Sequence, residues 1–144
     1  MANNDSIRLL RECDAGAKMA VTSINEVIEK VENSTLRSIL SESRNRHEGI
    51  GNEIHSLLSS YHVEDKEPNP IAKGMSWVKT NMKMTMNDND AAAADLITDG
   101  CNMGIKSLNE YMNQYKNADN ESKKLCKSLI AAEERLCEDL RAYL

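Results

Sequence analysis

The segment AKMAVTSINEVI (17–28) aligns without a gap against CNMGIKSLNEYM (101–112). Met19, Ser23, Asn25 and Glu26 are met by Met103, Ser107, Asn109 and Glu110, and most other positions keep their type. Around the first copy, Ile7, Leu10, Cys13, Ala17, Ala20, Ile24, Val27, Ile28 and Val31 recur every three or four positions, the stripe of an amphipathic helix. The repeat therefore predicts two similar helices, far apart in sequence, within an all-α chain. Gly16 falls opposite Gly100 in the same register, and a glycine inside a helix costs about 1 kcal/mol relative to alanine. The pair is expected to mark close contact between helices one and three.

Outward from these copies, helix one is placed at 5–32, with Asp5 or Ser6 as its cap. Asn33 and Ser34 interrupt it before a second stripe of Leu36, Ile39, Leu40, Ser43, His47, Ile50, Ile54, Leu57 and Leu58. So short a turn predicts an antiparallel hairpin over 5–61. HVEDKEPNP (62–70) is charged, proline-bearing and aperiodic, and opens a crossover over 62–90. Within it Ile71, Met75, Val78, Met82 and Met86 share a face, predicting a short helix at 71–86. NDND (87–90) supplies caps for a second hairpin over 91–144, whose last helix begins near Asn120 and carries Leu125, Leu129, Ala132, Leu136, Leu140 and Tyr143 inward. Helices two and four also align, with Ile39, Ile50, Ile54 and Leu58 against Leu125, Leu136, Leu140 and Leu144. Residues 1–144 thus read as one domain, a ferritin-like antiparallel four-helix bundle of two hairpins with one long connection.

Composition agrees with one globular core. The chain has 144 residues, 40% hydrophobic and 28% charged, enough to bury roughly two thirds of its unfolded surface. With no Phe, one Trp and eight Met, the core must be built from aliphatic side chains, alanine and methionine. A net charge of −5 without a basic stripe predicts no nucleic-acid or anionic-membrane partner. No apolar run reaches the ~18 residues of a bilayer span, and MANNDSIRLL lacks both parts of a secretion signal. The expected location is the cytoplasm. There Cys13, Cys101, Cys126 and Cys137, which form no CxxC pair, are expected to stay reduced.

The segment GMSWVKTNMKMTMNDNDAAAADL (74–96), with Trp77, Lys79 or Lys83 and the Asn87–Asp90 cap, resembles a bacterial ferritin-like family of small stand-alone proteins. That family is a domain of unknown function related in fold to rubrerythrin. The resemblance covers nearly the whole chain and implies an ancestral site for two metal ions. Such bundles supply a Glu from each of two helices and Glu-x-x-His from each of the other two. Here the slots are dismantled: Ala17, with Asp14 nearly a turn away, on helix one; Arg44 three positions before His47 on helix two; Cys101 on helix three; and Glu133 and Glu134 followed by Leu136 and Cys137 on helix four.

His47, Cys101 and Glu133 fall at corresponding depths, with Asp14 as a fourth contributor. They are the candidate ligands for a single Zn, Fe or Mn ion. The metal-free alternative has His47 bonded to Glu133 or Asp14, and Arg44 paired with a carboxylate where metal once sat. Met82, Met84 and Met86 are thioethers that suit Cu(I), but i and i+2 point apart on a helix. No nucleophile elbow, phosphate loop or dinucleotide fingerprint occurs. The reading is a non-catalytic bundle with no cofactor, self-associating as a homo-oligomer, a dimer first, in a structural or interaction role. The alternative is a ferritin-like protein of iron or manganese storage or peroxide defence, and a third possibility is thiol-based stress sensing.

Overall fold

The computed structural model describes residues 3–62 and 89–144. Among them are four helices and no strand: α1 (Asn4–Ile28), α2 (Ser34–Ser60), α3 (Asp90–Gln114) and α4 (Asn120–Leu140), the last followed by a 3-10 turn at Arg141–Tyr143. The connecting helix expected at 71–86, with Trp77 and the Met82, Met84 and Met86 run, lies outside the described residues.

Every helix begins behind an Asn or Asp whose side chain accepts the N–H three residues on. Asn3 takes that of Ser6, Asn33 that of Leu36, Asn89 that of Ala92 and Asp119 that of Ser122. Each such cap is worth about 1 kcal/mol relative to alanine. The cap of α1 is thus Asn3 rather than Asp5 or Ser6. Ser6 serves elsewhere, since its hydroxyl donates to Asn3 Oδ1 and accepts the N–H of Asp119.

α1 ends at Ile28, earlier than the stripe to Val31 suggests. The N–H groups of Lys30 and Val31 bond three residues back, to Val27 and Ile28, which tightens the chain out of the helix. Val31 nevertheless stays fully buried, folded over the end of the core, so it kept the stripe going without being helical. α2 ends at Ser60 with Tyr61 as its C-cap, and His62 follows in the left-handed region with a φ of 58°.

α1 packs on α2, and α3 on α4; α2 meets α4, and α1 meets both α3 and α4. Two apolar clusters result. One joins Leu9, Leu10 and Cys13 of α1 to Ile54 and Leu58 of α2, Leu108 of α3, and Cys126 and Leu129 of α4. The other joins Ile24 and Val27 to Leu36 and Leu40, Ala94 and Ile97, and Leu136 and Leu140. Small residues set the approach between helices. A Cβ on Gly51 would lie 3.5 Å from that of Ala17, which marks close contact of α2 with α1. Gly16 faces Leu129 of α4 at 3.9 Å, an ordinary contact, so it does not mark an α1–α3 approach.

The two ends are tied reciprocally. The carboxylate of Asp90, in the first turn of α3, accepts the N–H groups of Glu32 and Asn33 in the α1–α2 turn at 2.9 and 3.0 Å. At the opposite connection, Asp5 in the first turn of α1 accepts the N–H of Asn117, and Asn3 donates to the Asn117 carbonyl. Tyr61 adds an O–H bond to Asp119 at 2.8 Å. Asp90→Ala removes the carboxylate that accepts the N–H groups of both Glu32 and Asn33. A urea denaturation curve is expected to show a loss of about 1 kcal/mol, because both bonds are solvent-exposed.

Candidate functional site

Between the two apolar clusters lies a polar layer. On α2, Ser43 and His47 fall between Leu40 of one cluster and Ile50 of the other; on α4, Glu133 falls between Leu136 and Ala132. All three side chains are buried, His47 completely. They point inward because they keep the helical stripe: Ser43 and His47 continue Leu36 and Leu40 at i+3 and i+4 spacing.

The geometry of His47 determines where its proton sits. Nδ1 lies 2.8 Å from the carbonyl oxygen of Ser43, one turn back. A carbonyl can only accept, so Nδ1 carries hydrogen, and Nε2 of the neutral ring holds a lone pair. Nε2 is buried without a hydrogen-bond partner, yet it lies 3.4 Å from Glu133 Oε1 in an ion-pair contact. The two statements agree if distance is satisfied and alignment is not. Two acceptors facing each other away from water repel. Protonation of the ring relieves this, and imidazolium with carboxylate is the form that balances charge across the contact. Burial disfavours the charged ring, but the Glu133 carboxylate and the Ser43 carbonyl outweigh it, so the His47 pKa rises above its ordinary 6.5.

Glu133 has room because α3 carries a glycine opposite it. A Cβ at Gly104 would meet Glu133 Oε1 at 3.1 Å. Cys101, one turn earlier on α3, is buried on the same side of Glu133. Next to them is a void of about 30 Å³ lined by Met19, Ser23, Ile24 and Ile97 as well as Cys101 and Glu133, the size of one water.

Three of the four candidate ligands are thus brought together, His47 against Glu133 and Cys101 beside it. Asp14 does not join it through a direct bond: its carboxylate pairs with Lys18 at 2.8 Å. It shares with His47 only a groove of about 410 Å³ between α1 and α2. Arg44, expected to pair with a carboxylate, instead donates to Asn25 Oδ1 of α1 and to Ser41 Oγ. Three residues before His47 it sits at the edge of α2, where it reaches the polar flank of α1 rather than the centre. Ala17 is buried at its slot. A paired-metal centre of this architecture uses four carboxylates and two imidazoles. Here one of each converges, and among the described residues no group of three His, Cys, Asp or Glu is placed to hold one metal ion. The donor set does not fit a paired-metal centre.

Gly104 and the cysteine contacts were not legible beforehand. Gly104 faces Ala20 in the repeat and looks like one small residue replacing another. Cys126 lies next to Leu125, which had been placed inward; the structure buries Cys126 fully and leaves Leu125 half-buried.

No family model and no curated protein matches the sequence. Among solved structures, the crystal structure of a DUF305 fragment from Deinococcus radiodurans is similar in fold. The two align with a TM-score of 0.78 at 9% identity, over 98% of this chain and 95% of that one. At that identity the likeness speaks for the all-helical fold alone, shared with a domain of unknown function. Among the described residues, no helix is long and apolar enough to cross a membrane.

Removing one member of a buried charge pair strands the other. His47→Leu is expected to destabilise the fold by about 3 kcal/mol, while adding Glu133→Leu recovers most of that loss; chemical denaturation of both single variants and the double variant measures it. The pH dependence has a definite sign. A raised folded-state pKa means that the pair's stabilisation is fully present below about pH 6.5 and is lost as pH rises through the raised value. The midpoint of thermal unfolding should fall over that window, and Glu133→Gln should flatten the fall.

Proposed function

We propose that this protein is a cytoplasmic, non-catalytic bundle with a structural or protein-interaction role, in which a proton-sharing His47–Glu133 pair stands where related bundles hold two metal ions. The observation that carries this reading is the composition of the central layer: a single imidazole and a single buried carboxylate face each other, flanked by Gly104, Ala17 and Cys101. Each member of the charge pair is the other's charged partner, which supports a structural rather than a catalytic use of the layer. Asp14 and Arg44, the other charged groups near the old slots, are engaged with Lys18, Asn25 and Ser41.

The finer architecture in this reading is ferritin-like, two antiparallel hairpins related by an internal repeat. It draws support from the pairing of the early part of α1 with the late part of α2, and from the reciprocal ties of Asp90 and Asp5 across the two ends. Self-association, with the dimer as its simplest form, completes the proposal.

Metal analysis of tag-free protein, combined with light scattering, tests both parts. The expected outcome is no stoichiometric Zn, Fe or Mn and a discrete dimer. Stoichiometric iron or manganese with oxidase activity would replace this reading by a metalloprotein, and a monomer at all concentrations would remove self-association.

A further inference from the structure

The four cysteines are free thiols, but they are not scattered. They fall in two neighbouring pairs whose ionisations are linked: Cys13 of α1 with Cys126 of α4, and Cys101 of α3 with Cys137 of α4. The two pairs differ in access. Cys13 and Cys126 are both completely buried within one apolar cluster. Cys137 is half-buried, so only the second pair has a sulfur that a solute can reach.

The position of Cys137 is set by α3. Its sulfur lies 3.6 Å from Asn102 Oδ1 and 4.0 Å from the carbonyl oxygen of Thr98, groups that bracket Cys101 on one helical turn. The thiol is thereby held over the turn that carries Cys101. From this placement we infer that Cys101 and Cys137 form a site of reversible oxidation by a hydroperoxide, closing a disulfide that links α3 to α4.

The chemistry balances with one equivalent of hydroperoxide. The Cys137 thiolate attacks the terminal peroxide oxygen: an S–O bond forms, the O–O bond breaks and the leaving oxygen departs with the electron pair, taking up a proton as water or alcohol. Sulfur is oxidised to a sulfenic acid. The Cys101 sulfur then attacks the Cys137 sulfur: an S–S bond forms, the S–O bond breaks and hydroxide takes the Cys101 proton as water. Two thiols and one hydroperoxide give one disulfide, one water and one further water or alcohol. A dithiol reductant reverses the step by exchange.

Access assigns the roles in the same order. Cys137 is half-buried and Cys101 buried, so the reachable sulfur meets the peroxide first and the buried one is positioned to resolve it. Nothing comparable opens the Cys13–Cys126 pair, which serves as an internal control.

The test uses the full-length, tag-free, reduced protein with a small excess of hydrogen peroxide, followed by unfolding, alkylation and peptide mapping. Trypsin separates Cys126 (125–127) from Cys137 (136–141). The expected product links the Cys101 and Cys137 peptides with loss of two hydrogens, disappears on treatment with dithiothreitol, and leaves Cys13 and Cys126 alkylated. With Cys101→Ser, verified as folded by circular dichroism, a dimedone adduct should accumulate on Cys137 instead. The inference is overturned if native protein shows Cys137 overoxidised or unreacted with Cys101 free, or if Cys13 and Cys126 link first.

Discussion

A buried imidazole and a buried carboxylate, 3.4 Å apart at the middle of a helical bundle, constrain the rest of this molecule. Taking either charge out of water costs several kcal/mol unless the other is opposite it. Because Nδ1 of His47 is committed to the Ser43 carbonyl, Glu133 can be matched only through Nε2 and one proton. That requirement fixes α2 against α4. A slip of one turn would set His47 against Leu129 or Leu136 and strand both groups among apolar side chains. Gly104 belongs to the same constraint, since it leaves α3 without a side chain where the carboxylate lies. The apolar clusters on either side supply most of the burial but, being aliphatic, discriminate less between registers.

The ends of the bundle repeat this logic with weaker bonds. Asp90 holds the α1–α2 turn and Asp5 the α3–α4 connection, each from the first turn of a helix belonging to the other pair. Backbone N–H groups that have no partner within a turn are satisfied across the molecule. Register is thus specified at the centre by charge and at both ends by capping carboxylates. The thiol pairs sit within this frame: Cys101 lines one void with Glu133, and the Cys137 sulfur lies over the α3 turn that carries Cys101.

Much of this was legible from periodicity. Seven of the nine residues of the α2 stripe, Leu36, Leu40, Ser43, His47, Ile50, Ile54 and Leu58, are its buried face, with Ile39 and Leu57 half-buried beside them, because a long amphipathic helix repeats one signal many times. Equal depth in the repeat offered Glu133 or Asp14 as the partner of His47, and Glu133 is the one within 3.4 Å. Single contacts were less accessible. Val31 prolonged a pattern it continued from a turn; Gly16 looked like a helix-contact glycine and faces Leu129; Arg44 found Asn25 and Ser41 rather than a carboxylate. In each case the outcome depends on which neighbouring helix lies within reach, and periodicity carries no such information. The cysteine partners were hidden for the same reason.

The central claim is that a proton, not a metal ion, joins His47 to Glu133. Nitrogen-15 NMR of the imidazole rings in tag-free protein, recorded below pH 6.5 with and without a chelator, addresses it directly. The expected spectrum has His47 protonated at both nitrogens, with the Nδ1 hydrogen slow to exchange, and is unchanged by the chelator. An Nε2 resonance at a metal-bound shift that moves when the chelator is added would contradict the account.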